Sequence, residues 1–538
     1  MTRRSFLNRN LQIGAGVALA TLVDIPLVMK RALAESSLIG SNGKKLLFIF
    51  LRGANDGLNS VIPILDPAYA PSRPLINIPA DPSVRYDATG PCLQVVNDHA
   101  TDPTYQFASA IPLGNSFAAL HPSLRFLANV YNAGDLALVH RVGYPGQNRS
   151  HFESQANWES GAPNRNRSDG LFYRALNEAG LVQARPLSGV SIQSALPLLL
   201  QGADGALTNI VIPSDFEFFG VPGTEQGKWL AQQQITAATT IPFASQDNRA
   251  LLRLHYLNLI ASQRILANLQ FEEAANTFVD DELIDQESEP YSLFPTIDDK
   301  NGGYQLHGGS TDNFVVDRGG YYFFRALKAA SLILNQTDAV IAGTEILGWD
   351  THYAQGGVTG PHANLVRYVG WALYALRKYF MLYGKGGPRQ LPGAQARWED
   401  VVVVTLSEFG RTTVQNGSLG TDHAEASVMF LAGGAIKAFN AGLNLSGVYG
   451  CSPSDDYNGQ QVAWQPGPDG SMFRVNGRYL QRAVDFRSVL GKLIRDHLGV
   501  TQAQLNRIIP GYADPAEALL SGGTSIDGTT IVGELDLV

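Results

Sequence analysis

Two short segments carry the ligand chemistry of a divalent cation site: Asp350-Thr351-His352 and Asp422-His423 each set a carboxylate near an imidazole. Oxygen and nitrogen donors of this kind bind zinc and similar ions. The first follows the β-like run Ala339 to Leu347, and the second precedes the apolar run Val428 to Ala432. Asp56, in the glycine-flanked turn Gly53-Ala54-Asn55-Asp56-Gly57, and Glu408, in Ser407-Glu408-Phe409-Gly410, add carboxylates beside two further runs. A lone Asp-x-His also arises as a hydrogen-bonded pair or a helix cap, so the weight falls on four such segments meeting. On an extended strand Asp350 and His352 share one face, because alternate side chains do.

A nucleophile has its own candidate. Asn148-Arg149-Ser150-His151-Phe152-Glu153 follows another apolar run and opens a predicted helix reaching Trp158. A hydroxyl at a helix N-terminus faces free backbone amides and the positive end of the dipole, which suits attack on a phosphate or sulfate ester. The alternative is that Ser150 caps the helix, with Glu153 completing a capping box. His151 either assists Ser150 or is an ordinary helix-surface histidine. Arg52 and Arg411, each beside a ligand segment, either clamp an anionic ester group or form structural ion pairs. His140, inside an apolar run, reads as a satisfied core residue.

These residues must be positioned by strands. Lys45 to Leu51, Leu136 to Val142 and Val401 to Leu406 are continuous apolar runs that end in polar or glycine-rich segments, the pattern of strands buried on both faces. Helical periodicity lies between them, at Asn364 to Leu382 and Asn248 to Phe271. Alternation of this kind predicts an α/β fold with a doubly wound, mostly parallel central sheet flanked by helices. Ligands then sit beyond the carboxyl ends of the strands, where the polar segments converge. The acidic stretch Val279 to Gly303, with Pro290 and Pro295, reads as a loop near an insertion, and Tyr383 to Pro392 and Gly450 to Gly470 read likewise.

The net charge of −8 is spread without a basic block, which argues against a nucleic-acid partner. Cys92 and Cys451, the only two cysteines, are compatible with one disulfide or with two thiols. At the N-terminus, Arg3-Arg4 precede an apolar stretch from Leu11 to Met29 and then Ala32-Leu33-Ala34. This order reads as a twin-arginine signal over residues 1–34, removed before Glu35 after engaging the twin-arginine translocase. Asp24, Pro26 and Lys30 break the stretch, so no stable membrane anchor is expected. The protein is therefore expected in the periplasm or outside the cell.

Leu51-Arg52-Gly53-Ala54-Asn55-Asp56-Gly57-Leu58-Asn59, Gly143-Tyr144-Pro145, Asn148 to Phe152, Trp349 to His352, Ser407 to Arg411 and Gly420 to His423 together resemble the bacterial domain-of-unknown-function family 1501. That family is similar to the alkaline phosphatase and sulfatase superfamily. The resemblance implies an alkaline phosphatase-like domain over 35–538, with insertions at about 200–300. It further implies a metal-binding aspartate at Asp56, a nucleophile at Ser150, and one complete metal site at Asp350, His352 and His423. Where phosphatases continue the Val401 to Leu406 strand with Asp-His, this chain has Ser407-Glu408, so a second ion is absent or of a harder type.

The expectation is an exported hydrolase acting on a small-molecule or polysaccharide ester. Its cofactor would be a divalent metal, zinc first, with calcium, magnesium or manganese as alternatives. The catalytic set is Ser150, His151 and Arg411, and the metal set Asp56, Asp350, His352, Glu408, Asp422 and His423. The rival reading is a non-catalytic binding or surface-assembly module on the same fold.

Overall fold

The computed structural model describes most of residues 37–80, 109–212, 278–295 and 317–538, with scattered positions between 226 and 271. The expected signal segment, Cys92 and most of the expected insertion at 200–300 lie outside the described residues, as does most of the predicted helix Asn248 to Phe271.

The strand runs fold as read. The central strands in chain order are β1 (Lys45–Leu51), β2 (Leu136–Gly143), β3 (Gly189–Ile192), β4 (Thr208–Ile210), β5 (Ile341–Ile346), β6 (Val401–Leu406), β7 (Ser427–Ala432), β8 (Val448–Tyr449) and β9 (Val484–Asp485). Across the sheet they run β8-β2-β7-β6-β1-β5-β3-β4, with β9 pairing with β2 off this path. All neighbours are parallel except those of β7, which is antiparallel to both β6 and β2. The fold is thus a mostly parallel α/β sheet of the doubly wound kind.

Period two explains why β1 is apolar throughout. Leu47, Ile49 and Leu51 enter one hydrophobic cluster, together with the helices α3 (Arg318–Gln336) and α4 (Pro361–Leu382). Leu46, Phe48 and Phe50 enter a second cluster on the other face, with α2 (Leu171–Glu178), α5 (Phe486–Lys492) and α6 (Gln502–Ile508). Both faces are covered, so neither set of alternating positions can be polar. Helix α4 begins just ahead of the predicted Asn364: Gly360, at φ +119°, turns the chain and Pro361 occupies the first turn, where its missing N–H costs nothing.

One loop expectation is corrected. Val279–Ile284 pairs antiparallel with Pro290–Ser292, within the stretch read as irregular. One of its acidic groups is taken inside: Asp280 is buried, accepts from the Tyr374 hydroxyl and pairs with Lys378, which also binds the exposed Glu282. Among the described residues no helix is long and apolar enough to cross a membrane. Cys451 is fully buried.

Candidate functional site

The carboxyl ends of β1, β2, β5 and β6 open onto one edge, and the polar segments gather there. Strand β7 reaches the same edge by its amino end because it runs antiparallel. This is why His423, which precedes its strand, meets Asp350 and the ring of Phe409, which follow theirs. The pairing continues beyond the strands through a bridge between Arg411 and His423. Two glycines allow the close approach. A Cβ on Gly53, at φ +112°, would lie 2.4 Å from the Asp350 backbone nitrogen, and one on Gly420 would lie 2.4 Å from the His352 carbonyl carbon. The fourth segment arrives with helix α1 (His151–Ser160), whose start is tied to the Glu408 carbonyl by Gln147 and Ser154.

Three imidazoles surround the Asp350 carboxylate. His352 Nε2 is 3.1 Å and His423 Nε2 3.2 Å from Asp350 Oδ1, and these two nitrogens are 2.8 Å apart. His151 Nε2 is 3.5 Å from Asp350 Oδ2. The other ring nitrogen is engaged in each case. His352 Nδ1 donates to Asp422 Oδ1 (3.0 Å), His423 Nδ1 to the Arg149 carbonyl (2.8 Å), and His151 Nδ1 to Glu408 Oε1 (2.8 Å). Where a ring is neutral these acceptors hold the proton on Nδ1, and its Nε2 then presents a lone pair toward Asp350. Lone pairs 2.8 Å apart on His352 and His423 repel, and the meeting point calls for positive charge.

The electrostatics follow from these contacts. Burial alone would raise the Asp350 carboxyl, but the Arg411 guanidinium, at 2.6 Å, holds it down at about 2. Asp422 is likewise lowered: Asn416, His352 and Arg478 outweigh its partial burial. His151 is raised, chiefly by its hydrogen bond to Glu408, whereas burial lowers His423. Asp350 stays an anion at neutral pH with 46 % of its side chain exposed, so the cluster is open to solution.

Several expected roles change. Arg411 is not a clamp for an ester: its side chain is fully buried, and it donates to the carbonyls of Gly53, Ala54, Trp349 and Thr421 as well as to Asp350. It fixes Asp350 and joins the loops. Arg52 is spent on ion pairs with Glu159 (2.9 Å) and Glu345 (2.7 Å). Asp56 stands apart from the imidazoles, because Arg73 binds both its oxygens, at 2.6 and 3.0 Å, and Gln355 donates to one of them. Glu408 and Asp422 face the Nδ1 sides of His151 and His352 and act as orienting carboxylates. Glu408 Oε1 also accepts from the Gly53 amide, while its Oε2 is buried without a hydrogen-bond partner.

Ser150 is exposed at the start of α1 and makes no capping hydrogen bond through its side chain, and Glu153 is bonded to Asn148 instead of closing a capping box. Among the described residues no hydrogen bond joins the Ser150 hydroxyl to His151, which is turned to Glu408 and Asp350. His140 is the satisfied core residue expected: Nε2 donates to the Val61 carbonyl, Nδ1 accepts from the Arg141 amide, and burial pushes it down to about 3.

Sequence reasoning did not single out Arg73, Gln355, Asn416 or Arg478, which hold Asp56 and Asp422. None lies next to its partner in the chain. His151 as a third converging imidazole was within reach, since it follows β2 at the same edge as the segments that were chosen.

Residues 335–442 match the model of a family described as a protein of unknown function, DUF1501. The match bears out the family expected from the sequence, and it spans Asp350, His352, Glu408, Arg411, Asp422 and His423, with Asp56, Ser150 and His151 outside it. No curated protein and no solved structure matches the chain.

Proposed function

We propose that this DUF1501 chain is an exported, metal-dependent hydrolase of phosphate or sulfate esters, with Ser150 as nucleophile. The observation that carries the reading is the convergence of Nε2 lone pairs on the Asp350 carboxylate, each imidazole fixed from behind by an acceptor. Metal-binding histidines are oriented in this manner. The donors suit a divalent cation held by Asp350, His352 and His423. Such an ion supplies positive charge that polarises an oxygen of the ester.

The chain's own residues do the rest. Ser150 stands uncapped and exposed at the positive end of α1, between Arg149, whose carbonyl holds His423, and His151. Its oxygen attacks the phosphorus or sulfur centre as the bond to the alcohol oxygen breaks, and the serine proton leaves with the alcohol. Water then cleaves the seryl ester, releasing phosphate or sulfate and restoring the hydroxyl. The helix dipole favours the anionic group throughout.

The purified full chain, loaded with zinc, is expected to hydrolyse an aryl phosphate or aryl sulfate, with turnover lost in Ser150→Ala and in His352→Ala. Undiminished turnover in both variants defeats the mechanism. The commitment of both Asp56 and Arg411 to internal pairs favours a second reading, a binding module. A chain that takes up the ion, binds sulfate or phosphate and turns over neither ester is its signature.

A further inference from the structure

We infer that His151 is a fourth protein donor to the cation, so that the centre is built from three imidazoles and one carboxylate, with Glu408 as the positioning residue behind His151. The inference rests on the metal reading above and deepens it. Three observations carry it. His151 repeats the arrangement of His352 and His423: Nδ1 is tied to an acceptor, here Glu408 Oε1 at 2.8 Å, and Nε2 is aimed at Asp350. That Nε2 is buried and has no hydrogen-bond partner. Finally, ligand atoms of His151, Asp350 and His423 all lie within 4.8 Å of one another, and the rings of His151 and His423 meet edge to face with centroids 4.4 Å apart.

A donor set this rich in nitrogen has a chemical consequence. Hard ions such as calcium and magnesium prefer oxygen ligands, whereas imidazole suits zinc, cobalt, nickel or copper. The centre therefore selects a borderline ion over a hard one. Glu408 belongs to this selection without touching the ion: its buried carboxylate, fixed by the Gly53 amide at 2.7 Å, holds the ring tautomer that leaves Nε2 free to bind. The resemblance that suggested a harder second ion at Glu408 is thereby replaced by one nitrogen-rich centre.

Metal uptake by the full chain tests this without any turnover assay. The apo chain is titrated with zinc against a competing chelator, and with cobalt(II) while the visible absorption of the bound ion is recorded. Wild type is expected to bind one zinc per chain and to ignore a large excess of calcium or magnesium. His151→Ala should bind at least tenfold more weakly and shift the cobalt bands, because a nitrogen donor has been exchanged for water. Glu408→Gln, a milder change, should weaken zinc by about 10–100-fold, the usual loss for an orienting partner. Loss of zinc in His352→Ala with unchanged affinity and cobalt bands in His151→Ala leaves the metal reading intact and overturns this inference. Failure of folded wild type to bind any of these ions overturns both. Circular dichroism on each variant identifies one that has failed to fold, and Glu408→Gln then decides.

Discussion

Asp56 and Asp350 occupy equivalent places in the chain, each in a turn just past a parallel strand, yet they end in opposite environments. Asp56 is fully buried, and a guanidinium and an amide satisfy it. Asp350 is half-exposed: Arg411 donates to its Oδ1 alone, and three imidazole Nε2 atoms face the carboxylate from the open side. A paired, buried carboxylate holds structure together. A carboxylate facing lone pairs leaves a place for a cation. What separates the two is how much of the carboxylate the guanidinium takes: Arg73 occupies both oxygens of Asp56, whereas Arg411 holds one oxygen of Asp350 and leaves the carboxylate facing imidazoles backed by acceptors.

The largest expected effect breaks the closed side. Asp56→Asn keeps the shape and removes the charge, leaving the Arg73 guanidinium buried and unpaired, which costs about 3–5 kcal/mol. Chemical denaturation should register that loss, while zinc bound per folded chain stays at the wild-type value. Wild-type stability combined with loss of the ion would return Asp56 to the ligands and collapse the distinction.

Acid sharpens the comparison through its sign. His362, beside the Asp56 network, is fully buried and pushed down to about 4, first by burial and then by the nearby arginines against the pull of Asp56. Its folded pKa lies below the unfolded one, so its contribution is full above pH 6.5 and is lost as pH falls toward 4. The loss amounts to about 3 kcal/mol at roughly 1.4 kcal/mol per unit. His151, raised by Glu408, acts the other way: its contribution is present in acid and fades as pH rises through its folded value. Denaturation midpoints at pH 7 and pH 4.5 should therefore fall in wild type and fall less in His362→Leu. An equal fall in both would mean that His362 is already charged in the native protein.

How much of this was legible follows from the same physics. Strand β1 was read with its observed bounds, because a strand buried on both faces must be apolar at every position. Asp350, His352 and His423 lie together, because the ends of such strands share one edge. The acidic hairpin around Asp280 was misread, because Lys378 and Tyr374, which take up its charge, lie some hundred residues away in the chain. Nor could the sequence tell Asp56 from Asp350, because nothing in its pattern marks which arginine turns inward onto which carboxylate. The partner that closes Asp56 is Arg73, an unremarkable residue in Ser72-Arg73-Pro74, whereas Arg411, which looked like a substrate clamp, is held by four carbonyls. Composition names a charged group, but only packing decides which of its donors or acceptors remain free.

The smallest expected change is the most discriminating at the open side. A serine that caps a helix contributes about 1 kcal/mol, lost on replacement by alanine. The Ser150 hydroxyl makes no such bond and is exposed, so Ser150→Ala should alter stability by less than about 0.5 kcal/mol. The same variant removes the proposed nucleophile, so its ester hydrolysis should vanish although zinc uptake and thermal midpoint are unmoved. A drop of about 1 kcal/mol with hydrolysis retained would mean that the residue serves the helix. Stability and turnover must therefore be measured on the same preparation, since each role predicts a change in one and constancy in the other.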